Sequence, residues 1–229
     1  QEEKMMKKRT KLGVSLALVG ILAVGGTYAY LQFQTGPVEN TFTFGDNVNG
    51  EIKEPHWDGE CFEGETCDIE ATGKQDAQNF TPGQTIAKDP QLKNTSNVPA
   101  YAAVKIEYTG VENDTAVTSY AALNKFAEID WNTDDWYFNA DHTLAIYKKA
   151  LHPDENNVEN KTVPVFTNVK INEHAVYPEA GETNDLAMHH FQINVKGYFA
   201  QADNMDGMDS ILAVKTVFED FKDFEAINK

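Results

Sequence analysis

Cysteine and basic residues are scarce in this chain. Its 229 residues include two cysteines, and 19 lysines and arginines stand against 36 acidic residues, which gives a formal net charge of −17 at pH 7. Binding to phosphate-rich partners requires a basic face, which this composition does not favour. We therefore expect neither nucleic acid nor an anionic membrane surface among the partners of this protein.

The common signatures of catalysis are also missing. The sequence has no His-Glu-x-x-His zinc motif, no Gly-x-Ser-x-Gly nucleophile elbow and no glycine-rich phosphate loop. Its six histidines are dispersed, and the adjacent His189 and His190 would point to opposite faces of a strand. We expect no catalytic residues, no metal and no cofactor, and we do not predict an enzyme.

The first thirty residues have the layout of an export signal. Met5–Lys11 is basic, Leu12–Val24 is apolar or small throughout, and small residues follow. A signal helix of this kind is removed after a short motif of small residues. Thr27 and Ala29 occupy the two positions that define such a motif, so we predict cleavage after Ala29 and a mature chain that begins at Tyr30.

This leader predicts a secreted protein that meets the signal peptidase during export and the membrane only as a precursor. The alternative is a retained membrane anchor, because the uncharged stretch Leu12–Gln34 is long enough to span a bilayer. Removal is favoured, since glycines dilute the stretch and no basic stop-transfer cluster follows it.

Cys61 and Cys67 lie in an acidic, turn-rich insertion at about residues 51–78. In an exported protein, two cysteines at this short spacing favour a small disulfide loop. Free thiols and a metal site are the alternatives, although a structural zinc site needs four ligands.

The remaining sequence predicts a mainly β fold. Ala100–Tyr108 alternates strictly between apolar and polar residues, Trp136–Lys148 reads as a hairpin, and further strands are expected at Thr41–Phe44, Val163–Ile171 and Phe191–Phe199. Many short strands of this kind are typical of an antiparallel β-sandwich, here of jelly-roll type.

Two helical insertions complete the predicted fold. Helical spacing of apolar residues predicts one helix over Asp114–Glu128, with Thr118 or Ser119 as its cap, and a second near the C-terminus with Asp209 or Ser210 as its cap. The aromatic residues of the hairpin, Trp136 and Tyr137 among them, could form a sugar platform, but we expect them to pack in the core.

Several segments in a fixed order suggest a family. They are Gly25–Ala29, Asn40–Asp46, Pro82–Pro90 and Lys93–Ala102. Together they resemble the TasA/camelysin family of Gram-positive surface and biofilm-matrix proteins, whose leaders are handled by a SipW-type signal peptidase. The resemblance covers most of the chain, whereas the acidic insertion with its two cysteines departs from the better-known matrix proteins.

The resemblance implies a secreted jelly-roll subunit, located at the cell surface or in the extracellular matrix, that assembles into homo-oligomeric fibres. In such fibres the freed N-terminal segment of one subunit adds a strand to the next. It also implies a division into signal peptide 1–29, arm 30–40 and a single domain 41–229. Relatives called camelysin are described as metallopeptidases, so a camelysin-like peptidase is the least favoured alternative.

The residues of the arm support strand donation independently. Its assembly residues alternate, with two apolar side chains on one side: Tyr30, Leu31, Gln32, Phe33 and Gln34. A short arm of this pattern can pair with an exposed sheet edge through its backbone. Alternatively, the arm folds back on its own domain, and the protein is a non-assembling exported surface or binding protein.

Overall fold

A computed structural model describes residues 32–34, 48–66, 69–78, 80–112, 115–153, 160–175, 188–202 and 208–229. The predicted signal peptide, the cleavage residues Thr27, Ala29 and Tyr30, and the strand predicted at Thr41–Phe44 lie outside these ranges. Within them, no helix is long and apolar enough to cross a membrane.

The described ranges contain eleven strands and four α-helices. The strands are β1 (Gln32–Gln34), β2 (Gly50–Lys53), β3 (Thr85–Ala87), β4 (Gln91–Asn94), β5 (Ala100–Glu112), β6 (Thr115–Val117), β7 (Ala127–Trp131), β8 (Trp136–Phe138), β9 (Leu144–Leu151), β10 (Phe166–Ile171) and β11 (Met188–Gln201). The helices are α1 (Pro55–Asp58), α2 (Gly73–Asp76), α3 (Tyr120–Phe126) and α4 (Ser210–Val217), followed by a 3₁₀ turn at Glu219–Phe221. The predicted mainly β class is confirmed.

The largest sheet is antiparallel and is organised around β5. Its strand order is β1-β11-β5-β9-β8, and β6 pairs with the far end of β5. The ladder between β11 and β5 runs from Met188 opposite Glu112 to Gln201 opposite Ala100. The predicted alternation is confirmed, because Ala102, Val104, Ile106 and Tyr108 are buried along one face of β5.

Two smaller antiparallel sheets complete the described strands. One has the order β3-β10-β7, and the other pairs β2 with β4. The segment before β10 runs beside β4, where Thr162 N donates to Leu92 O at 2.8 Å and Val165 N donates to Pro90 O at 3.0 Å. This segment therefore links the two smaller sheets.

One apolar core is shared by all three sheets. Its buried members include Val104 and Ile106 of β5, Ile129 of β7, Val169 of β10 and Leu92 of β4. A second cluster lies on the other face of the large sheet, where Ala103, Ile146 and Tyr198 pack against residues of α4 and of the 3₁₀ turn. Burial of both faces explains why β5 and β9 carry apolar residues at consecutive positions.

The predicted helices are correct in position but not always in extent. The helix predicted over Asp114–Glu128 is wrong at both ends, because Thr115–Val117 forms β6 and α3 spans only Tyr120–Phe126 before β7 begins. Ser119 caps α3 by accepting from Ala122 N at 3.3 Å, and burial of Ala127 and Ile129 in the core keeps the next residues extended. The predicted cap Asp209 accepts from Leu212 N at 2.8 Å, whereas the short helices α1 and α2 were not predicted.

His142 occupies a strained turn between β8 and β9. Its backbone has φ of 52°, and its ring lies 4.8 Å from Tyr120, 5.0 Å from Trp131 and 5.4 Å from Phe138, measured between centroids. Its Nδ1 is buried without a hydrogen-bond partner. Burial lowers the pKa of His142 against the opposing effects of the Ala140 carbonyl and Asp141.

We predict that Gly50→Ala destabilises the protein. A Cβ at this position would lie 2.2 Å from the ring of Phe199, which is fully buried. Overpacking of this kind costs about 1–3 kcal/mol, which urea unfolding would measure. Phe199→Leu removes the obstructing ring, so adding Gly50→Ala to that variant should cost less stability than adding it to the wild type. An equal loss of stability in the two backgrounds would contradict the assigned contact.

We also predict that His142 makes stability depend on pH. A histidine whose folded pKa lies below its unfolded value stabilises the fold fully above the unfolded pKa of about 6.5, and that contribution is lost as pH falls below it. The free energy of unfolding, plotted against pH, should therefore differ most in slope between the wild type and His142→Asn just below pH 6.5. Asparagine tolerates the left-handed backbone, so a variant with unchanged pH dependence would count against His142 as the source.

Candidate functional site

The edge of β11 that faces away from β5 is only partly paired among the described strands. On this edge β1 pairs with β11 only from Tyr198 to Ala200, and within the described ranges no strand pairs with residues 190–196. Edge strands are usually protected by charge, proline or a bulge. The residues Gln192–Val195 carry no charge and no proline, and the one lysine of the stretch, Lys196, lies at its end next to the β1 pairing; we call residues 190–196 the open edge.

The described part of the predicted arm lies on its own domain. Gln32, Phe33 and Gln34 pair antiparallel with Ala200, Phe199 and Tyr198 of the same chain. This is the arrangement that the alternative to strand donation requires. Tyr30 and Leu31, the other predicted assembly residues, lie outside the described residues.

A groove of about 390 Å³ lies beside the open edge. One wall is β11 itself, and the opposite wall comes from the predicted insertion with α1 and α2. The apolar lining consists of Ile52, Trp57, Ala77, Phe80, Ile86, Val169, Phe191, Ile193 and Val195. The charged residues of the lining are Lys53, Glu54, Asp58, Glu60, Lys74 and Lys88. We call this space the edge groove.

A buried ion pair holds the insertion wall in place. Lys88 Nζ donates to Glu54 Oε1 and Oε2 at 2.9 and 2.7 Å, and it lies 4.6 Å from the centre of the Trp57 ring. Burial raises the pKa of Glu54, although the Lys88 ammonium opposes that rise. The pair positions Trp57 at the groove through a cation–π contact.

A second anchor lies at the start of α1. Asp89, which is 1% exposed, accepts from the backbone N–H of His56 at 2.8 Å and lies 2.8 Å from His56 Nδ1. Nearby, Gly73 at the start of α2 fits closely against β3, because a Cβ there would lie 2.0 Å from the carbonyl oxygen of Ala87. The insertion is therefore fixed to the sheets at both of its short helices.

The predicted disulfide loop forms a third contact between the insertion and the sheets. Cys61 is disulfide-bonded, and Cys67, the other cysteine of the chain, lies outside the described residues. The adjacent Phe62 is 2% exposed, with Lys93 and Lys161 at 5.7 and 5.9 Å from its ring centre. Glu65 accepts from Lys161 at 2.8 Å.

Other site types receive no support from the described geometry. No cluster of three or more His, Cys, Asp or Glu residues suited to a metal ion occurs in the part of the chain that the structure describes. The aromatic residues considered for a sugar platform pack as the preferred interpretation predicted: Trp136 and Phe138 are fully buried, and Trp131 and Tyr137 are half-buried against the apolar clusters.

Comparisons with protein families, with curated proteins and with solved structures find no significant match to this chain.

Sequence reasoning located the arm but missed the edge groove. Trp57 lies in a stretch interpreted only as acidic and turn-rich, Phe80 lies just after it, and periodicity cannot detect helices as short as α1 and α2. Large aromatic residues within and beside a charged insertion were the one available signal, because large aromatic side chains are usually buried or in contact with a ligand.

We predict that Glu54→Gln destabilises the insertion strongly. The substitution leaves Lys88, which is 8% exposed, without its anion. Breaking a buried pair on one side costs about 3–5 kcal/mol, and Trp57 fluorescence during unfolding would report the loss. The matched control is Glu60→Gln, which removes the exposed partner of Lys53 and should cost at most about 1 kcal/mol; equal effects would show that the Lys88 pair does not anchor the wall.

Proposed function

We propose that this protein is a secreted structural subunit of extracellular surface or biofilm-matrix fibres, related to the TasA/camelysin proteins that its sequence resembles. The predicted leader supports export, and the predicted arm supports assembly. The single observation that carries the proposal is the placement of β1 on an edge of β11 along which no other described strand pairs with residues 190–196.

Exchange of the arm between copies follows from that placement. Within the described residues, β1 pairs with β11 of its own chain over Gln32–Gln34. A strand that pairs with an edge of its own chain can make the same contacts with an identical chain. Because donor and acceptor surfaces differ, repeated donation produces an open, head-to-tail filament.

The topology supports the jelly-roll part of the proposal. The large sheet and the linked smaller sheets are all antiparallel and bury side chains in one shared core. This is the relationship between the two layers of a β-sandwich. We propose that the body of the subunit is a sandwich of this type, with the acidic insertion lying against one end of the open edge.

The edge groove favours a second candidate function, a non-assembling exported binding protein. Its volume of about 390 Å³ lies within the range of sites that bind small ligands. Fibre formation remains the preferred proposal, because the groove borders an open strand edge, which a small ligand does not require.

Deletion of Tyr30–Thr35 from a chain that begins at Tyr30 tests the proposal. We expect electron microscopy to show fibres for the intact mature chain and only monomers after deletion, because the donor strand is lost. Urea unfolding of both proteins provides the control, since the deletion should leave the body folded. Fibres that persist after deletion, or an intact chain that stays monomeric at every concentration, would contradict the proposal.

A further inference from the structure

The arm and the open edge have matching patterns of side chains. In the register of the structure, Gln32 and Gln34 lie opposite Ala200 and Tyr198, both buried residues of the second cluster. A strand moved along β11 until Phe33 lies opposite Ile193 would instead place Gln32 and Gln34 opposite the polar residues Asn194 and Gln192. Leu31 would then lie opposite Val195. This second register pairs apolar with apolar residues and amide with amide.

We propose that the open edge and the insertion together form an acceptor site for the arm of a second copy, with Phe33 opposite Ile193. This inference rests on the proposed function and adds to it the acceptor residues and the register. It also assigns a role to the cysteine-containing insertion, which supplies the outer wall of the site.

Side-chain direction supports this register. Phe191, Ile193, Val195 and Phe199 all belong to or pack against the shared core, so they lie on one face of β11. Residues directly opposite each other in an antiparallel pair lie on the same face. Moving the pairing from Phe199 to Ile193 preserves that face. Leu31 and Phe33 would consequently face the edge groove.

The insertion makes this edge selective. Trp57 of the insertion and Phe80, which follows the insertion, line the groove together with Phe191 and Ile193. An edge with a bare backbone accepts any extended strand, whereas a pocket beside it selects particular side chains at alternate positions. The groove therefore favours strands with large apolar residues at the positions of Leu31 and Phe33.

Charge points to the arm as the occupant. The chain has a net charge of −17, whereas the groove lining itself balances three carboxylates (Glu54, Asp58 and Glu60) with three lysines (Lys53, Lys74 and Lys88). The segment 30–35 is uncharged, so it approaches this site without the repulsion that an acidic segment would meet.

The occupant comes from a second copy because the chain's own continuation is unsuitable. If the register of β1 continued past Gln34, Pro37 would lie opposite Val195. Proline has no N–H and cannot donate to a strand ladder. The open edge is thus continuous with the β1 pairing, and a proline in the sequence after β1 makes that sequence a less suitable ladder partner than the arm of a second copy.

Cysteine cross-linking tests the register in the full mature chain. A Gln32→Cys chain is mixed with an Asn194→Cys chain under assembly conditions and oxidised, and a parallel mixture uses Ala200→Cys instead. We expect covalent dimers mainly from the Asn194 mixture, because directly opposed residues are within disulfide distance. Wild-type chains give the background from the native cysteines. Dimers mainly from the Ala200 mixture, or no dimers from the Asn194 mixture, would overturn the proposed register.

Substitution in the arm tests the groove without changing the body of the protein. Phe33→Ala should raise the concentration needed for assembly about 10- to 100-fold, because full burial of a phenylalanine contributes about 1.5–3 kcal/mol. Gln32→Ala, whose side chain would face away from the groove, should change it less than threefold. Trp57→Leu should weaken assembly as well. When it is combined with Phe33→Ala, the loss of assembly free energy should be smaller than the sum of the two separate losses. Equal effects of the two arm substitutions would overturn the role of the groove.

The two proposals fail in distinguishable ways. Assembly that survives deletion of Tyr30–Thr35 removes the proposed function and this inference together. Assembly that requires the arm but shows cross-links at Ala200, or no difference between Phe33→Ala and Gln32→Ala, leaves strand donation in place and removes only the acceptor groove.

Discussion

The long antiparallel ladder between β11 and β5 is the contact on which the other features of the structure depend. Its register extends from Met188 to Gln201 and places the apolar residues of both strands on the shared core. The same ladder turns Tyr198 and Ala200 towards α4 on the other face. Because β5 occupies one edge of β11, the opposite edge is left for the arm and for the groove. A slip of one residue in this register would exchange the two faces of β11 and would remove both the arm pairing and the groove.

The insertion adds a wall to this edge through polar contacts that involve buried partners such as Lys88 and Asp89. Lys88 with Glu54 and His56 with Asp89 tie α1 to the segment after β3, and Phe62 lies beneath Lys93 and Lys161. Buried ion pairs contribute little net stability, because desolvation offsets their attraction. Their geometric consequence is larger: they hold Trp57 at a fixed place beside β11.

The strands that could be predicted were those with a complete local pattern. β5 alternates over its buried half, and the hairpin of β8 and β9 has polar turn residues between two apolar runs. The boundary between α3 and β7 could not be predicted in the same way, because residues 114–128 fit a helical spacing throughout. Packing of Ala127 and Ile129 in the core decides that boundary, and such packing depends on residues far away in sequence.

The sequence alone determined the mainly β class, the alternation of the arm and the absence of recognisable catalytic motifs, because each is a property of neighbouring residues. Only the tertiary structure decided that β1 lies on β11, that residues 190–196 form an open edge, and that Trp57 and Phe80 line a groove beside it. These features join segments more than a hundred residues apart. Their register is set by long-range pairing and burial, for which a single sequence carries no local pattern.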